Sequence, residues 1–225
     1  GSVEGLSAAS SDTLATAARG LALCADAVIH HHGADTNEGA DELVGDPTEG
    51  ALVVLAEKLG VNVAQVRGEY PRIAEVPFDS ATKYMATVHR FPIPGGGSLV
   101  RIYVKGAPDV VMSRCNQVLW MHDTADMATQ RAALDAHYDA MAADGLRVLA
   151  LPRDSTRHDV SDLADLPELE ELDLSGCENL TDLRGLAQLA KIQKLRLAGG
   201  GFSHVDELGA LSALEELSLR GCAHL

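Results

Sequence analysis

The chain has 225 residues, of which 33 are acidic and 18 are Lys or Arg, so its formal charge is −15 at neutral pH. This charge argues against nucleic acid as a partner, because binding to a phosphate backbone requires a clustered basic surface. The apolar fraction of 46% is typical of a folded protein, and the longest apolar run, residues 51–56, is far shorter than the roughly 20 residues that span a bilayer. We therefore expect a soluble chain without direct membrane contact. Gly1 and Ser2 indicate a cloning remnant, and we expect a piece of a longer protein.

No metal site is predicted from the cysteines or histidines. Cys24, Cys115, Cys177 and Cys222 include no C-x-x-C pair and no short spacing typical of zinc ligands. The run at residues 30–32 consists of three adjacent histidines, whose side chains cannot easily converge on one ion. The cysteine usage indicates a reduced, intracellular setting.

The N-terminal two thirds of the chain alternate helix and strand signals. Asp46 as N-cap, Pro47 at the first helical position and Glu49 at the third predict a helix that ends at Gly60. Alternating apolar residues on both sides of a glycine turn then predict a β-hairpin with strands at 85–89 and 99–104. The further predicted elements are a short helix at 108–115, a helix at 125–143 and a strand at 146–151.

The C-terminal part is built differently, since 17 of its 68 residues from His158 onward are leucine, against 14 of the preceding 157. An L-x-x-L-x-L pattern begins at Leu169 and returns at Ile192 and Leu214, which gives repeats of 23 and 22 residues. This spacing resembles the leucine-rich repeats, with predicted strands at 171–175, 194–198 and 216–220. We expect a short β/α solenoid fragment, truncated or fused.

The leucine-rich-repeat resemblance implies buried turn positions for Cys177 and Cys222 and a strand face that binds a protein partner. The exposed residues of that face are Glu171, Asp173, Arg196 and Arg220. The alternative is a fusion or capping fragment with no partner of its own. Either way, the ends of so short a stack need cover, at Leu163 and Leu166 on one side and at Leu219 and Leu225 on the other.

Five short strings carry a second resemblance. In chain order they are Leu23-Cys24-Ala25-Asp26, Gly45 to Leu52, Pro77-Phe78-Asp79-Ser80 with Lys83, Lys105-Gly106-Ala107-Pro108, and Gly145-Leu146-Arg147. Their order resembles that in the nucleotide-binding domain of the P-type cation-transporting ATPases. The resemblance covers residues 13–154 and implies an α+β fold in which helices flank an antiparallel sheet. It divides the chain into an ATP-binding domain, 1–157, and a leucine-repeat segment, 158–225.

The same resemblance implies a set of nucleotide-binding residues. Phe78 stacks on adenine and Glu49 contacts the adenine side of the site, while Lys83, Lys105 and Gly106 line the pocket. Arg147 reaches toward the ribose and phosphates. Two alternatives stay open: Phe78 packs in the core, or Glu49 completes a capping box.

We expect no catalytic residue in this chain, because the D-K-T-G-T and T-G-D-G-x-N-D motifs that the family uses for phosphoryl transfer do not occur in it. The implied ligands are ATP and ADP, with Mg-ATP in the parent enzyme. The implied partner is the phosphorylation domain of the parent pump, and the implied location is the cytoplasmic side of a membrane transporter. The alternative function is a non-enzymatic protein-interaction module that acts through the leucine repeats.

Overall fold

The structure is a computed structural model, and it describes residues 11–31, 41–92, 98–120, 123–143, 160, 163–164, 166–175, 177 and 180–222. The described helices are α1, Ser11–Leu23; α2, Pro47–Lys58; α3, Val63–Glu69; α4, Pro108–Ser113; and α5, Met127–Ala143. The described strands are β1, Val28–His30; β2, Glu42–Val44; β3, Arg72–Asp79; β4, Tyr84–Pro92; β5, Ser98–Gly106; β6, Gln117–Trp120; β7, Asp123–Asp126; β8, Glu171–Asp173; β9, Lys194–Arg196; and β10, Glu216–Ser218.

An antiparallel sheet of β3, β4 and β5 forms the centre of the fold. Strand β4 lies in the middle and pairs with β5 along its whole length, from Tyr84 opposite Gly106 to Pro92 opposite Ser98. The hairpin predicted from the alternating pattern is therefore confirmed. Two small antiparallel pairs, β1 with β2 and β6 with β7, were not predicted, because strands of three or four residues are too short to show a period.

Helix α2 begins and ends as its local sequence predicts. The Asp46 side chain accepts hydrogen bonds from the backbone N–H groups of Thr48 and Glu49, and Pro47 is the first helical residue. Gly60 follows the helix with φ of +89°, a left-handed conformation that glycine adopts without strain. The start of α5 differs from its prediction: residues 125 and 126 belong to β7, and the Asp126 carboxylate caps the helix by accepting from Ala128 N–H at 2.8 Å.

The C-terminal leucines form a stack with three parallel strands, β8, β9 and β10. Glu171 lies opposite Lys194, which lies opposite Glu216, and Leu172, Leu195 and Leu217 are in the same register. Two short 3-10 helices, Arg184–Gln188 and Asp206–Ala210, return the chain between strands. We call the described residues between 160 and 222 the leucine segment. Its assignment to the leucine-rich repeats stays a prediction.

Burial falls toward the last strand of the leucine segment. Leu172 and Leu195 are 2% and 1% exposed, whereas Leu217, the equivalent residue of β10, is 42% exposed. Cys177 is buried as predicted, but Cys222 is only half-buried, so the prediction for Cys222 was wrong. The reason is its place beside β10, which among the described strands pairs only with β9.

The leucine segment packs on one face of the central sheet, which we call the leucine face. Alternate residues of β4 (Tyr84, Ala86 and Val88) belong to the same apolar core as the leucines, and strand β3 contacts β8. Leu163 and Leu166 are fully buried in this core. The cover that the sequence predicts for this end of the stack is therefore supplied by the N-terminal sheet.

The opposite face of the sheet, the helix face, packs against α1. Met85, Phe91 and Tyr103 form a cluster there with Leu23 and Cys24. Helices α1, α2 and α3 contact one another through a further apolar cluster. None of the helices among the described residues is long and apolar enough to cross a membrane. The predicted strand at 146–151 lies outside the described residues.

Candidate functional site

Phe78 lies at an irregularity of β3 and is 62% exposed. The pairing of β3 with β4 shifts register between Val76 and Asp79, so that an extra residue is accommodated there. Such a bulge re-aims side chains. Phe78 thus presents an aromatic ring to solvent, and the alternative that it packs in the core is not what the structure shows.

The turn after Phe78 is held by Asp79. Its carboxylate accepts a hydrogen bond from Ala81 N–H at 2.8 Å, and its carbonyl accepts one from Lys83 N–H at 2.7 Å. Lys83 itself has φ of +60°, a left-handed backbone that is uncommon outside glycine. Phe78 and the exposed Lys83 lie at the same end of the sheet, because Asp79, which follows Phe78, pairs with Tyr84, which follows Lys83.

Gly106 lies beside this turn because it pairs with Tyr84 at the end of β5. A Cβ atom at Gly106 would lie 2.8 Å from the Tyr84 Cα and closer still to the Lys83 carbonyl oxygen. That carbonyl also accepts a hydrogen bond from Ala107 N–H at 3.0 Å. Only glycine leaves room for this close approach, which fixes the Lys83 turn against the end of β5.

Lys105 and Glu49 form a buried ion pair on the helix face. The Lys105 Nζ atom donates to Glu49 Oε1 at 2.6 Å, and Lys105 is 7% exposed. The other carboxylate oxygen, Oε2, accepts from the backbone N–H groups of Asp26 and Ala27 at 2.6 and 3.1 Å. The carboxylate of Glu49 therefore links α2, β5 and the segment after α1. The alternative role of Glu49 in a capping box stays a prediction.

The segment Leu23–Ala27, which we call the α1–β1 connection, is held by two arginines that the sequence analysis did not single out. Arg67 of α3 donates to the carbonyl oxygens of Ala22, Ala25 and Ala27. Arg72, the first residue of β3, also donates to carbonyls of the connection. Isolated arginines show no periodicity, so the only sequence signal is the position of Arg72 shortly before the string at 77–80.

The pKa values of Cys24, within this connection, and of His89, on the helix face of β4, are strongly shifted. Burial raises the pKa of the Cys24 thiol to about 11, which makes the thiol unreactive at neutral pH. Burial lowers the pKa of His89 to about 4, so the imidazole is neutral, and its Nδ1–H donates to the carbonyl of Tyr70 at 2.9 Å. Both groups serve packing on the helix face.

A separate cluster lies on the hairpin of β1 and β2. His31 contacts the carboxylates of Asp41 and Glu57 at 2.9 and 3.1 Å, and Glu57 and Asp41 raise its pKa. His31 and Glu57 border a cleft of about 440 Å³ between β1, α2 and α3, and the predicted nucleotide-binding residues do not line it. Among the residues that the structure describes, no group of three or more potential ligands could hold a metal ion.

Five of the six predicted site residues are described. The structure brings Phe78, Lys83 and Gly106 to one end of the sheet and joins Lys105 to Glu49 at the adjacent position of β5. Arg147 lies outside the described residues. The arrangement offers one aromatic surface, one exposed cation and one buried donor–acceptor pair.

Comparisons with known proteins identify the family of the chain and do not bear on the individual site residues. The family model described as "P-type ATPase, cytoplasmic domain N" matches residues 13–180. The cation-transporting ATPase pma1 of Synechocystis is 37% identical over 131 residues, which are 58% of this chain and 13% of that protein. Calcium-transporting ATPase 1 of Lactococcus lactis is 35% identical over 131 residues, again 58% and 13%. The sodium/potassium-transporting ATPase subunit alpha-1 of Catostomus commersonii is 34% identical over 110 residues, 49% of this chain and 11% of that subunit.

These relatives are much longer than the chain, which spans 13% or less of their length in the matched region. The family match continues to residue 180 and so includes the first strand of the leucine segment. The division of the chain after residue 157 stays a prediction.

Proposed function

Because this chain belongs to the family of P-type ATPase cytoplasmic N domains, which bind nucleotide, we propose that it binds ATP and ADP at the end of the sheet that carries Phe78. The observation that supports this site is the position of an exposed aromatic ring on β3 at the same end of the sheet as two lysines, Lys83 in the following turn and Lys105 on β5. We assign the site to Phe78, Lys83, Lys105, Gly106 and Glu49, together with Arg147.

Phe78 provides the surface for the adenine ring. Stacking of a base on an aromatic side chain contributes about 1–3 kcal/mol to binding. Because the Phe78 ring is 62% exposed in the free protein, stacking of the base on it removes apolar surface from water.

The Glu49–Lys105 pair suits the edge of adenine. The Lys105 ammonium has three N–H donors, of which the ion pair with Glu49 uses one. A carboxylate acceptor and an ammonium donor therefore lie side by side. Adenine presents the complementary pattern, an amino donor next to a ring-nitrogen acceptor. Guanine presents two acceptors at the corresponding edge and is a poorer match for this pair.

Lys83 is the cation that we assign to the phosphates. It is exposed and held by the Asp79 turn, and charge-assisted hydrogen bonds to phosphate act locally. The net charge of −15 weakens this attraction little, because exposed charges are screened beyond about 8–10 Å. Arg147 adds a second cation in this proposal.

In the larger protein we propose that this module carries the nucleotide to a separate phosphorylation domain, with Mg-ATP as the reacting species. The chain itself holds no aspartyl nucleophile motif and no Mg²⁺-binding motif of that kind, so it is expected to bind nucleotide without hydrolysing it. Phosphate release that survives repurification and disappears in Lys105→Ala would contradict this.

We also propose that the leucine segment is a short leucine-rich-repeat unit. The observation in favour is the parallel register of Leu172, Leu195 and Leu217 at repeats of 23 and 22 residues. Its exposed strand faces carry charged pairs, Glu171 with Lys194 and Arg196 with Glu216. A protein partner of this face is the second candidate function.

A titration followed by NMR tests nucleotide binding. ATP, ADP, GTP and inorganic tripolyphosphate are added separately to the isotope-labelled chain. We expect ATP and ADP to perturb the amides of β3 and the Lys83 turn with similar affinities, and GTP to bind more weakly. If tripolyphosphate and ATP bind with equal affinity, the base contributes nothing, and the assignment of Phe78 and Glu49 is wrong.

A further inference from the structure

Charged side chains hold the backbone of the α1–β1 connection: a carboxylate binds its N–H groups, and two guanidinium groups bind its carbonyls. Its N–H groups at Asp26 and Ala27 donate to Glu49 Oε2. Its carbonyls accept from arginines. Because the same Glu49 carboxylate holds Lys105 through Oε1, the connection and the ammonium share one anchoring group.

Arg67 is the first of the two arginines. Its Nε donates to Ala22 O at 3.0 Å, and its Nη2 donates to Ala25 O at 2.6 Å and to Ala27 O at 3.1 Å. A planar guanidinium with fixed donors is suited to several carbonyls at once. A Cβ atom at Gly45, which has φ of +117°, would lie only 3.0 Å from the Ala27 Cα, so the chain passes close to the connection at this glycine.

Arg72 is the second arginine, and it also bridges charges. Its Nη1 donates at 2.6 Å to both Asp26 Oδ1 and Glu75 Oε2, and its Nη2 donates to Leu23 O at 3.2 Å and to Ala25 O at 3.4 Å. Arg72 is also the first residue of β3, the strand that carries Phe78. It therefore ties this strand to the connection that presents N–H groups to Glu49.

We propose that Arg72, assisted by Arg67, is a positioning residue of the nucleotide site: it fixes the α1–β1 connection, and through Glu49 it fixes Lys105. This inference rests on the proposed nucleotide binding. Without the arginines, the N–H groups of Asp26 and Ala27 no longer point together at Glu49 Oε2. The carboxylate then loses two of its three donors, and it turns with Lys105 away from the geometry that matches adenine.

The first test is a double-mutant cycle in the full chain, with ATP affinity as the readout. We expect Arg72→Gln to weaken ATP binding about tenfold, within the coupling range of residues in one hydrogen-bond network. In the Glu49→Gln background the same change should have no further effect, because the link to Lys105 is already broken. Arg131→Gln is the matched control: it removes one positive charge from an ion pair with Asp135 on α5, and it should leave the affinity unchanged.

Two results would overturn the proposal. If Arg72→Gln and Arg131→Gln weaken binding equally, the effect is net charge alone. If the effects of Arg72→Gln and Glu49→Gln add fully, Arg72 does not act through Glu49. Should Arg72→Gln fail to fold, Arg72→Lys serves instead. It retains the charge facing Asp26 and Glu75 but cannot fork to the carbonyls, so we expect an intermediate affinity.

A second readout does not depend on nucleotide. In the free protein, Arg72→Gln should shift the amide resonances of Asp26 and Ala27 and speed their hydrogen exchange, while the exchange of the β4 amides stays unchanged. If the wild-type chain binds no nucleotide but these amides respond, the proposed function fails and the positioning of Glu49 stands. If the amides do not respond, the positioning role fails whatever the nucleotide affinity.

Discussion

Replacing Phe78 with alanine separates a binding role from a structural role, because the structure gives different magnitudes for the two. The side chain is 62% exposed, so only about a third of it is buried in the free protein. Complete burial of a phenylalanine side chain is worth about 1.5–3 kcal/mol. We therefore expect Phe78→Ala to lower the free energy of unfolding by about 1 kcal/mol or less.

The expected effect of Phe78→Ala on nucleotide affinity is larger. Loss of base stacking costs about 1–3 kcal/mol, which raises the dissociation constant of ATP by roughly 5- to 150-fold. Phe78→Trp should retain most of the affinity, since it keeps an aromatic face. Phe78→Leu keeps apolar bulk without that face and should fall close to the alanine variant.

Calorimetric or NMR titration with ATP measures these affinities, and urea denaturation measures stability in parallel. Leu217→Ala is the matched control, because it truncates another partly exposed apolar side chain, at the far strand of the leucine segment. It should leave ATP affinity unchanged. Equal affinities for the wild type and Phe78→Ala would refute the stacking role, and equal affinities for Phe78→Leu and Phe78→Trp would show that bulk alone matters.

Two further predictions concern His89 on the helix face and the close approach at Gly106. His89 has a pKa of about 4 in the folded state, against 6.5 in the unfolded state. As the pH falls between these two values, the unfolded chain therefore takes up a proton that the folded chain does not. We expect the free energy of unfolding to drop by about 2 kcal/mol from pH 7 to pH 5. Urea denaturation at the two pH values measures this change in a His31→Gln background, which removes the opposing contribution of the raised His31 pKa. If His89→Asn leaves the pH dependence of the unfolding free energy unchanged, the prediction is wrong. Gly106→Ala forces a Cβ against Tyr84 and the Lys83 carbonyl, and it should reduce both stability and ATP affinity; a variant with wild-type NMR shifts in the Lys83 turn would show that the close approach is not required.

The sequence predicts those parts of the fold that have local causes. The start of α2 is set by Asp46 and Pro47, and the hairpin of β4 and β5 follows from alternation on both strands. The link between Glu49 and Lys105 spans 56 residues, and its geometry depends on how α2 and β5 pack together. No local pattern contains that information. Only the family resemblance placed both residues in one site.

Arg67 and Arg72 were missed for the same reason. Each acts on backbone carbonyls 40 or more residues away along the chain, and a carbonyl has no residue-type signature. A charged residue near a recognised string is usually a solvated side chain. The arginines become identifiable as structural groups only when the fold shows which carbonyls lie within reach.

Sequence and structure lead to different expectations about whether the parts before and after residue 157 are independent domains. Composition changes sharply there, which favours two independent units. In the structure, however, Val76 and Val88 of the leucine face share one apolar core with Leu163 and Leu172 of the leucine segment. Each fully buried aliphatic side chain contributes about 1.5–3 kcal/mol, so uncovering several of them removes an amount comparable with the total stability of a domain, about 5–15 kcal/mol.

We therefore expect a chain ending at residue 157 to self-associate or to unfold at much lower urea concentration than the full chain. Light scattering after size-exclusion chromatography and dye binding to exposed apolar surface measure this, and adding residues 158–225 in trans should restore a 1:1 complex of the two fragments with the mass of one full chain. A monomeric truncated chain with an unchanged unfolding midpoint would show instead that the leucine face is stable without its cover and that the two parts are independent domains.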